Sequence, residues 1–232
     1  MYKRSSWEFN QQVTDEFEHH VRKSLPFYER LQEMVVGISD YFVMDHEVVY
    51  DLGSSTGETI TRLEKRHPHK SLRYVGLDSS PSMNEKASLM YASPSIQFQT
   101  ASLEDYSFPS KSPFILSLFT LHFLPIHKRK VVIQRIFNAL YEGGCFILVE
   151  KTHSESPLMQ NMWSHLHYED KLQQGFTHQE VLSKEQSLRG VLNPLSVQEN
   201  IALLTAIGFQ VDIFFKEWNF TGFVAIKPYE KQ

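Results

Sequence analysis

The segment Tyr50-Asp51-Leu52-Gly53-Ser54-Ser55-Thr56-Gly57 sets an acid at the end of a short apolar run and two glycines just beyond it. Gly53 and Gly57 let the backbone turn sharply and approach a ligand with no Cβ in the way. Asp51, at the carboxyl end of the run, can accept hydrogen bonds from a cationic amine. A second acid, Asp78, ends the next apolar run, where a carboxylate can take both hydroxyls of a ribose. Asp78-Ser79-Ser80-Pro81 also suits the start of a helix, so capping is the other reading of that acid. The glycine spacing is not G-x-G-x-x-G, and the Gly-Lys-Ser/Thr of a phosphate loop is missing. The pattern therefore favours a nucleoside carrying an amino-acid tail over a pyrophosphate.

Other residues at the ends of apolar runs extend this set. Ser102 can meet a base through its hydroxyl or backbone and Leu103 can pack on its face, although Ser102-Leu103-Glu104-Asp105 also makes an ordinary turn. His122, in Phe119-Thr120-Leu121-His122, reads either as a general base or as a half-buried histidine at a helix start. His153, His165, His167 and His178 are scattered among aromatics, and His165 and His167 cannot share a helix face, so no metal site is expected. Cys145 stands alone, which rules out an intramolecular disulfide, and it enters an apolar run as a small core residue.

Strands alternating with helices must position these residues. Residues 1–46 read as helical, with Val13, Phe17 and Val21, then Leu31, Val35 and Ile38, at helix-like spacing and Pro26 between two helices. Buried strands are expected at 47–53, 72–78, 96–99, 114–118 and 145–149. Helices are expected at 59–66, from Pro81 onward, at 128–141 up to Gly143-Gly144, and at 198–207 up to Gly208. Residues 154–194 are polar and His-rich and read as a helical insertion over the mouth of the sheet. Residues 209–215 and 220–227 close the sheet as an antiparallel pair. The alternation predicts an α/β fold in one domain over 1–232. Its sheet is doubly wound, mostly parallel and seven-stranded, with N-terminal helices and the helical insertion before the last strands.

A chain of 232 residues suffices for one such domain with a buried core. Hydrophobic residues at 41% and charged residues at 22% fit a soluble globular protein. The net charge of −4 leaves no basic footprint for nonspecific nucleic-acid binding. No run approaches the ~20 apolar residues of a membrane span. The first residues lack the apolar core of a secretory signal, so a cytoplasmic location is expected.

Asp-Leu-Gly-x-x-x-Gly followed by Leu-Asp-x-Ser resembles the signature of class I S-adenosylmethionine (SAM)-dependent methyltransferases. A narrower likeness spans nearly the whole chain. Its N-terminal stretches are Trp7-Glu8-Phe9 with Val13 and Phe17, then Ser24-Leu25-Pro26-Phe27-Tyr28. Tyr50-Asp51-Leu52-Gly53, Asp78-Ser79-Ser80-Pro81-Ser82-Met83 and Phe119-Thr120-Leu121-His122-Phe123-Leu124 follow. Glu150-Lys151, Gly175-Phe176-Thr177 and Asn219-Phe220 complete a set that resembles the carboxy-S-adenosylmethionine (carboxy-SAM) synthase family. That family makes carboxy-SAM from SAM and prephenate for wobble-uridine modification in tRNA.

The resemblance implies a Rossmann-like fold, SAM or carboxy-SAM as the bound cofactor, and a homodimer. By position it puts Tyr28 on the ligand, Gly53, Ser54 and Ser55 along the amino-acid tail, Asp78 and Ser79 at the ribose, and Ser102 and Leu103 at the adenine. Asp51 and Gly57, with Leu118 and Phe119 after the fourth strand, complete the expected binding set.

Two positions depart from the family. Its arginine, which holds the extra carboxylate of carboxy-SAM, falls on Glu185 when counted without gaps from Gly175, and its asparagine after the fourth strand falls on Leu118. A glutamate there would repel that carboxylate, since two unit charges about 4 Å apart interact by about 4 kcal/mol at an effective dielectric of ~20. The positive sulfonium of SAM would instead be favoured. The expected function is therefore SAM-dependent methyl transfer to a small molecule on this scaffold, with Glu185 shaping the pocket and taking the acceptor's proton. The alternative keeps the family reaction, with Arg189 supplying the missing guanidinium. A second alternative, a non-catalytic SAM-binding partner, follows from the lack of a firm general base on any motif.

Overall fold

A computed structural model describes residues 11–91 and 93–230; the Trp7-Glu8-Phe9 stretch lies outside them. Helices α1 (Gln11–Ser24) and α2 (Tyr28–Ser39) flank Pro26. Strands and helices then alternate through β1 (Val48–Leu52), α3 (Glu58–Arg66), β2 (Arg73–Asp78), α4 (Pro81–Met90), β3 (Ile96–Thr100) and β4 (Ser112–Leu118). A 3₁₀ turn, Leu121–Phe123, leads into α5 (Ile126–Ala139) and β5 (Leu140–Lys151). The insertion is α6 (Pro157–Gln173) and α7 (His178–Leu188), and α8 (Val197–Ile207), β6 (Gln210–Glu217) and β7 (Phe220–Ile226) follow it. The seven strands run in the order β3-β2-β1-β4-β5-β7-β6. Strand β7 is antiparallel to β5 and β6, and the other pairs are parallel.

Strand β1 shows why the site forms where it does. Val48, Tyr50 and Leu52 alternate onto the face packed by Val132, Ile133 and Ile136 of α5, while Val49 faces Leu31 and Val35 of α2 and Ile60 and Leu63 of α3. All five residues are buried, as a strand covered on both faces requires. Asp51 shares the parity of Val49, so it stands at the strand's carboxyl end on the side of α2 and α3. Because β1 lies between β2 and β4, its end is the topological switch point, where α/β sheets open a ligand crevice.

The α5 boundary differs from expectation. The helix stops at Ala139 instead of reaching Gly143-Gly144, and residues from Leu140 onward enter β5. Leu140 pairs with Ser112, and the register shifts before Cys145 pairs with Phe114. Gly143 N–H donates to the Lys227 carbonyl at 2.8 Å and Lys227 N–H to the Gly144 carbonyl at 2.9 Å, which draws both glycines into the sheet. An isolated parallel bridge between His153 and Ser196 joins the two ends of the insertion to each other. Its helices begin on side-chain caps, Ser156 for α6 and a Thr177–Glu180 capping box for α7. Among the described residues no helix is long and apolar enough to cross a membrane.

Candidate active site

Backbone hydrogen bonds fix the turn after β1. Gly53 and Ser54 N–H both donate to the Leu77 carbonyl, at 2.7 and 2.9 Å, which locks the turn to the end of β2. Gly53 has φ 83°, and a Cβ there would fall 1.9 Å from Thr120 Oγ1. Only glycine fits between this turn and the loop after β4. Ser55 also has a positive φ, 50°, and its N–H donates to Asp78 Oδ2 at 3.0 Å, which offsets the strain. Ser80 N–H donates to Asp78 Oδ1 at 2.8 Å. The N-cap of α4 is Ser80, whose side chain accepts from Met83 N–H, so the capping role falls there and not on Asp78. Burial raises the pKa of Asp78 while these amides oppose the rise.

These residues floor a cavity of about 890 Å³. Tyr28, Asp51, Gly53, Ser54 and Ser55 line it, as do Asp78 and Ser79 from the next strand end. Ser102, Leu103, Leu118 and Phe119 line it as well. Three expected residues do not. Gly57, at φ 85°, caps α3, and a Cβ on it would meet the Phe98 ring at 2.5 Å, so its smallness serves packing. Glu185 and Arg189 are exposed, and neither lines the cavity. Helix α7 turns Val181, Lys184 and Leu188 toward it; Glu185 follows Lys184 by one residue, which is about 100° around a helix. Arg189 is the C-cap of α7. Their expected roles beside the ligand do not fit this placement.

Asp51 is 2% exposed, and no described side chain or amide donates to its carboxylate. Burial, and then the nearby charge of Asp78, push its pKa up to about 8. A buried carboxylate without a partner suits an incoming ammonium group. With the space that Gly53 leaves open, this orphaned acceptor fits an amino-acid tail on a nucleoside.

The cavity also holds residues that sequence reasoning passed over. Lys151 at the end of β5, Lys171 on α6 and Lys184 on α7 line it. Burial lowers the pKa of all three, with Lys171 and Lys184 brought down to about 8. The charge of Lys151 adds to the effect on Lys171, and that of Lys171 to the effect on Lys184, while Glu185 acts in the opposite sense on Lys151 and Lys171. Lys151 ends a strand, as Asp78 and nearly Asp51 do, and the same rule could have found it. No sequence period links Lys171 to Lys184, which sit on different helices.

His122 is buried, and its Nδ1 accepts from Lys151 N–H at 3.1 Å. Burial lowers its pKa to about 3, so the ring is neutral and its basic nitrogen is engaged, which opposes a general-base role. Beside it lies buried Glu150, with Oε2 3.6 Å from His122 Nδ1 and a pKa pushed up to about 8, chiefly by burial. The charge of Arg129 and the backbone amides of Leu121, Thr120 and His122 oppose that rise. Buried Arg129 donates to the carbonyls of His122, Leu124 and Asn193, tying the loop after β4 to the return of the insertion.

The remaining wall is α1, through Phe17, His20, Val21 and Ser24. Thr56 Oγ1 donates to Glu18 at 3.1 Å, and Arg22 pairs with Glu58 and, at 2.7 Å, with Glu29. Lys23 donates to the Gly175 carbonyl at 3.1 Å and lies 4.3 Å from the Phe176 ring centroid, joining α1 to the insertion. Cys145 is buried, and among the described residues no group of three or more His, Cys, Asp or Glu is placed to hold a metal ion.

Residues 49–144 match a family model described as a methyltransferase domain. An O-methyltransferase family protein from Burkholderia thailandensis superposes with a TM-score of 0.67 at 14% identity, over 96% of this chain and 61% of that one. Human N-acetylserotonin methyltransferase in complex with SAM gives 0.57 at 18% identity, over 89% and 56%. Together with the strand order, these likenesses define the class by fold, an α/β domain of the methyltransferase type. The chain is 36% identical over 231 residues to the carboxy-S-adenosyl-L-methionine synthase of Staphylococcus epidermidis, covering 97% of this chain and 99% of the relative. The synthase of Methylococcus capsulatus is 33% identical over 94% of this chain and 93% of its own length. The chain belongs to the carboxy-S-adenosyl-L-methionine synthase family.

Proposed function

We propose that the chain makes carboxy-SAM from SAM and a carboxylate donor, prephenate, as the names of its relatives suggest for the first and the family resemblance for the second. The observation that carries this reading is the position of Glu185. Methyl transfer was favoured because that glutamate would repel a carboxylate beside the sulfonium, yet it is exposed and outside the cavity. Solvent screening at that position leaves only a small repulsion, so an anionic ligand is compatible with it.

In this reading Asp51 holds the ligand's amine, Gly53, Ser54 and Ser55 follow the tail, Asp78 and Ser79 take the ribose, and Ser102 and Leu103 meet the adenine. The sulfonium methyl of SAM would give up one proton and take the donor's carboxyl carbon; the C–C bond broken in prephenate supplies the electrons that aromatise its ring and expel the ring hydroxyl, which leaves with that proton as water. The chain contributes alignment and exclusion of water, with Tyr28, Leu118, Phe119 and Phe220 as apolar walls. Incubation with SAM and prephenate should yield a species heavier than SAM by one CO2 in mass spectrometry. S-adenosylhomocysteine and a methylated acceptor, without that species, would restore methyl transfer.

The resemblance further supports a homodimer. Light scattering should then give twice the chain mass of 27.1 kDa, and a monomer at micromolar concentration would remove that part of the proposal.

A further inference from the structure

We infer that Lys151, Lys171 and Lys184 form a cationic wall that binds a dicarboxylate donor and the carboxylate of the product, with Glu185 as the outer counter-charge. The identity of the anion rests on the carboxy-SAM reading above; the wall itself rests on the arrangement of side chains.

Sheet order separates the wall from the nucleoside floor. Asp78 ends β2 and Lys151 ends β5, three strands away, which is roughly 14 Å at the usual spacing of parallel strands. Acids and lysines thus occupy opposite sides of one mouth, as a ligand with a cationic amine at one side and an anion at the other requires. The lysines reach that place from three independent elements, a strand end and both helices of the insertion.

Few described groups nearby can neutralise Lys151 and Lys171. Among the described residues the Lys151 and Lys171 ammonium groups form no ion pair or side-chain hydrogen bond. Of the acids lining the cavity, Glu58 is paired with Arg22 and Arg62, and Glu180 accepts from the Thr177 amide and hydroxyl. His167 lies one turn before Lys171; its Nε2 bonds the Ser24 carbonyl, and burial lowers its pKa to about 3, so it adds no charge. Glu185 remains, acting on Lys151 and Lys171 through space from outside the lining.

Half-buried ammonium groups that repel one another are costly until an anion joins them. Lys151 and Lys171, unpaired among the described residues, bring two positive charges to the cavity when protonated, which matches a donor bearing two carboxylates. Ammonium groups act as point charges without the planar fork of a guanidinium, so several can share the work of one arginine.

The test titrates the full-length protein with SAM and with carboxy-SAM. Lys171→Gln and Lys184→Gln should each weaken carboxy-SAM roughly tenfold or more, the span of a lost charge-assisted hydrogen bond. SAM affinity should hold in both variants, which also reports that they fold. Lys171→Arg should keep most of the carboxy-SAM affinity. Glu185→Gln should bind carboxy-SAM several-fold more tightly, roughly as expected for removing a screened like charge. The proposal is overturned if both lysine variants bind carboxy-SAM like the wild type, if SAM weakens equally, or if Glu185→Gln loses affinity for carboxy-SAM. These outcomes need no turnover. Carboxy-SAM preference lost in the lysine variants, with no product formed from prephenate, would sink the reaction and keep the wall; product formation with unaltered binding in the variants would do the reverse.

Discussion

The two sides of the cavity are built by different means. On the acidic side the main chain does the positioning, through the Leu77 carbonyl that takes two amides of the turn and the Asp78 carboxylate that receives the amides of Ser55 and Ser80. On the lysine side the charges hang on long side chains, two of them from an insertion whose ends are joined by a bridge between His153 and Ser196. The first side is preorganised and tolerates little change. The second can be retuned by single substitutions.

The largest expected effect tests the rigidity of the acidic side. Gly53→Ala places a Cβ into Thr120 at a positive φ, so SAM binding in calorimetry should vanish and urea unfolding should show a loss of about 2 kcal/mol or more. Normal SAM affinity in this variant would break the contrast.

Asp51→Asn separates affinity from stability. SAM affinity should fall roughly tenfold to a hundredfold, while the ligand-free protein becomes more stable at pH 8. The sign follows from linkage. The carboxyl has a folded pKa of about 8 against an ordinary value of 3.8, so the native state holds an extra proton between those limits. Wild-type stability therefore declines as pH rises from 4 to 8. Glu150, also raised to about 8, contributes in the same direction and keeps part of the slope in the variant. Urea titrations at both ends of that range measure the difference; a wild-type slope unchanged in Asp51→Asn would show that the acid is already compensated.

A several-fold effect is expected from pH on the lysine side. The affinity ratio of carboxy-SAM to SAM should fall between pH 7 and 9, because Lys171 and Lys184 lose protons near pH 8. Both ligands share the amine and the ribose, so titration of Asp51 cancels in the ratio. A flat ratio would mean that the anion is held elsewhere. The smallest effect belongs to Arg189→Ala, which should leave the ratio unchanged and shift stability by less than about 0.5 kcal/mol.

The same contrast explains what the sequence made legible. Strand ends, glycine turns and the antiparallel closure follow from local rules, and Asp51, Gly53, Asp78 and Ser102 were reachable because a strand's last residue points toward the crevice. Gly57 obeys the same motif yet packs on Phe98, since a shared spacing does not distinguish a glycine facing a ligand from one facing a ring. Glu185 was placed by residue count, but rotation about α7 decides which side chain meets the cavity, and it selects Lys184. The early start of β5 escaped notice because hydrogen bonds from the distant Lys227 recruit Gly143-Gly144, a tertiary effect with no local signal.

Helix α1 lies ahead of the segment matched as a methyltransferase domain, yet four of its side chains close one wall. A version of the protein begun at α2 would keep both aspartates and the glycine bend but offer them in an open trough. Water would reach Asp51, its acidity would drift back toward that of an ordinary aspartate, and its hold on an ammonium would slacken. A helix of 14 residues thus turns a general nucleoside shelf into a dry chamber.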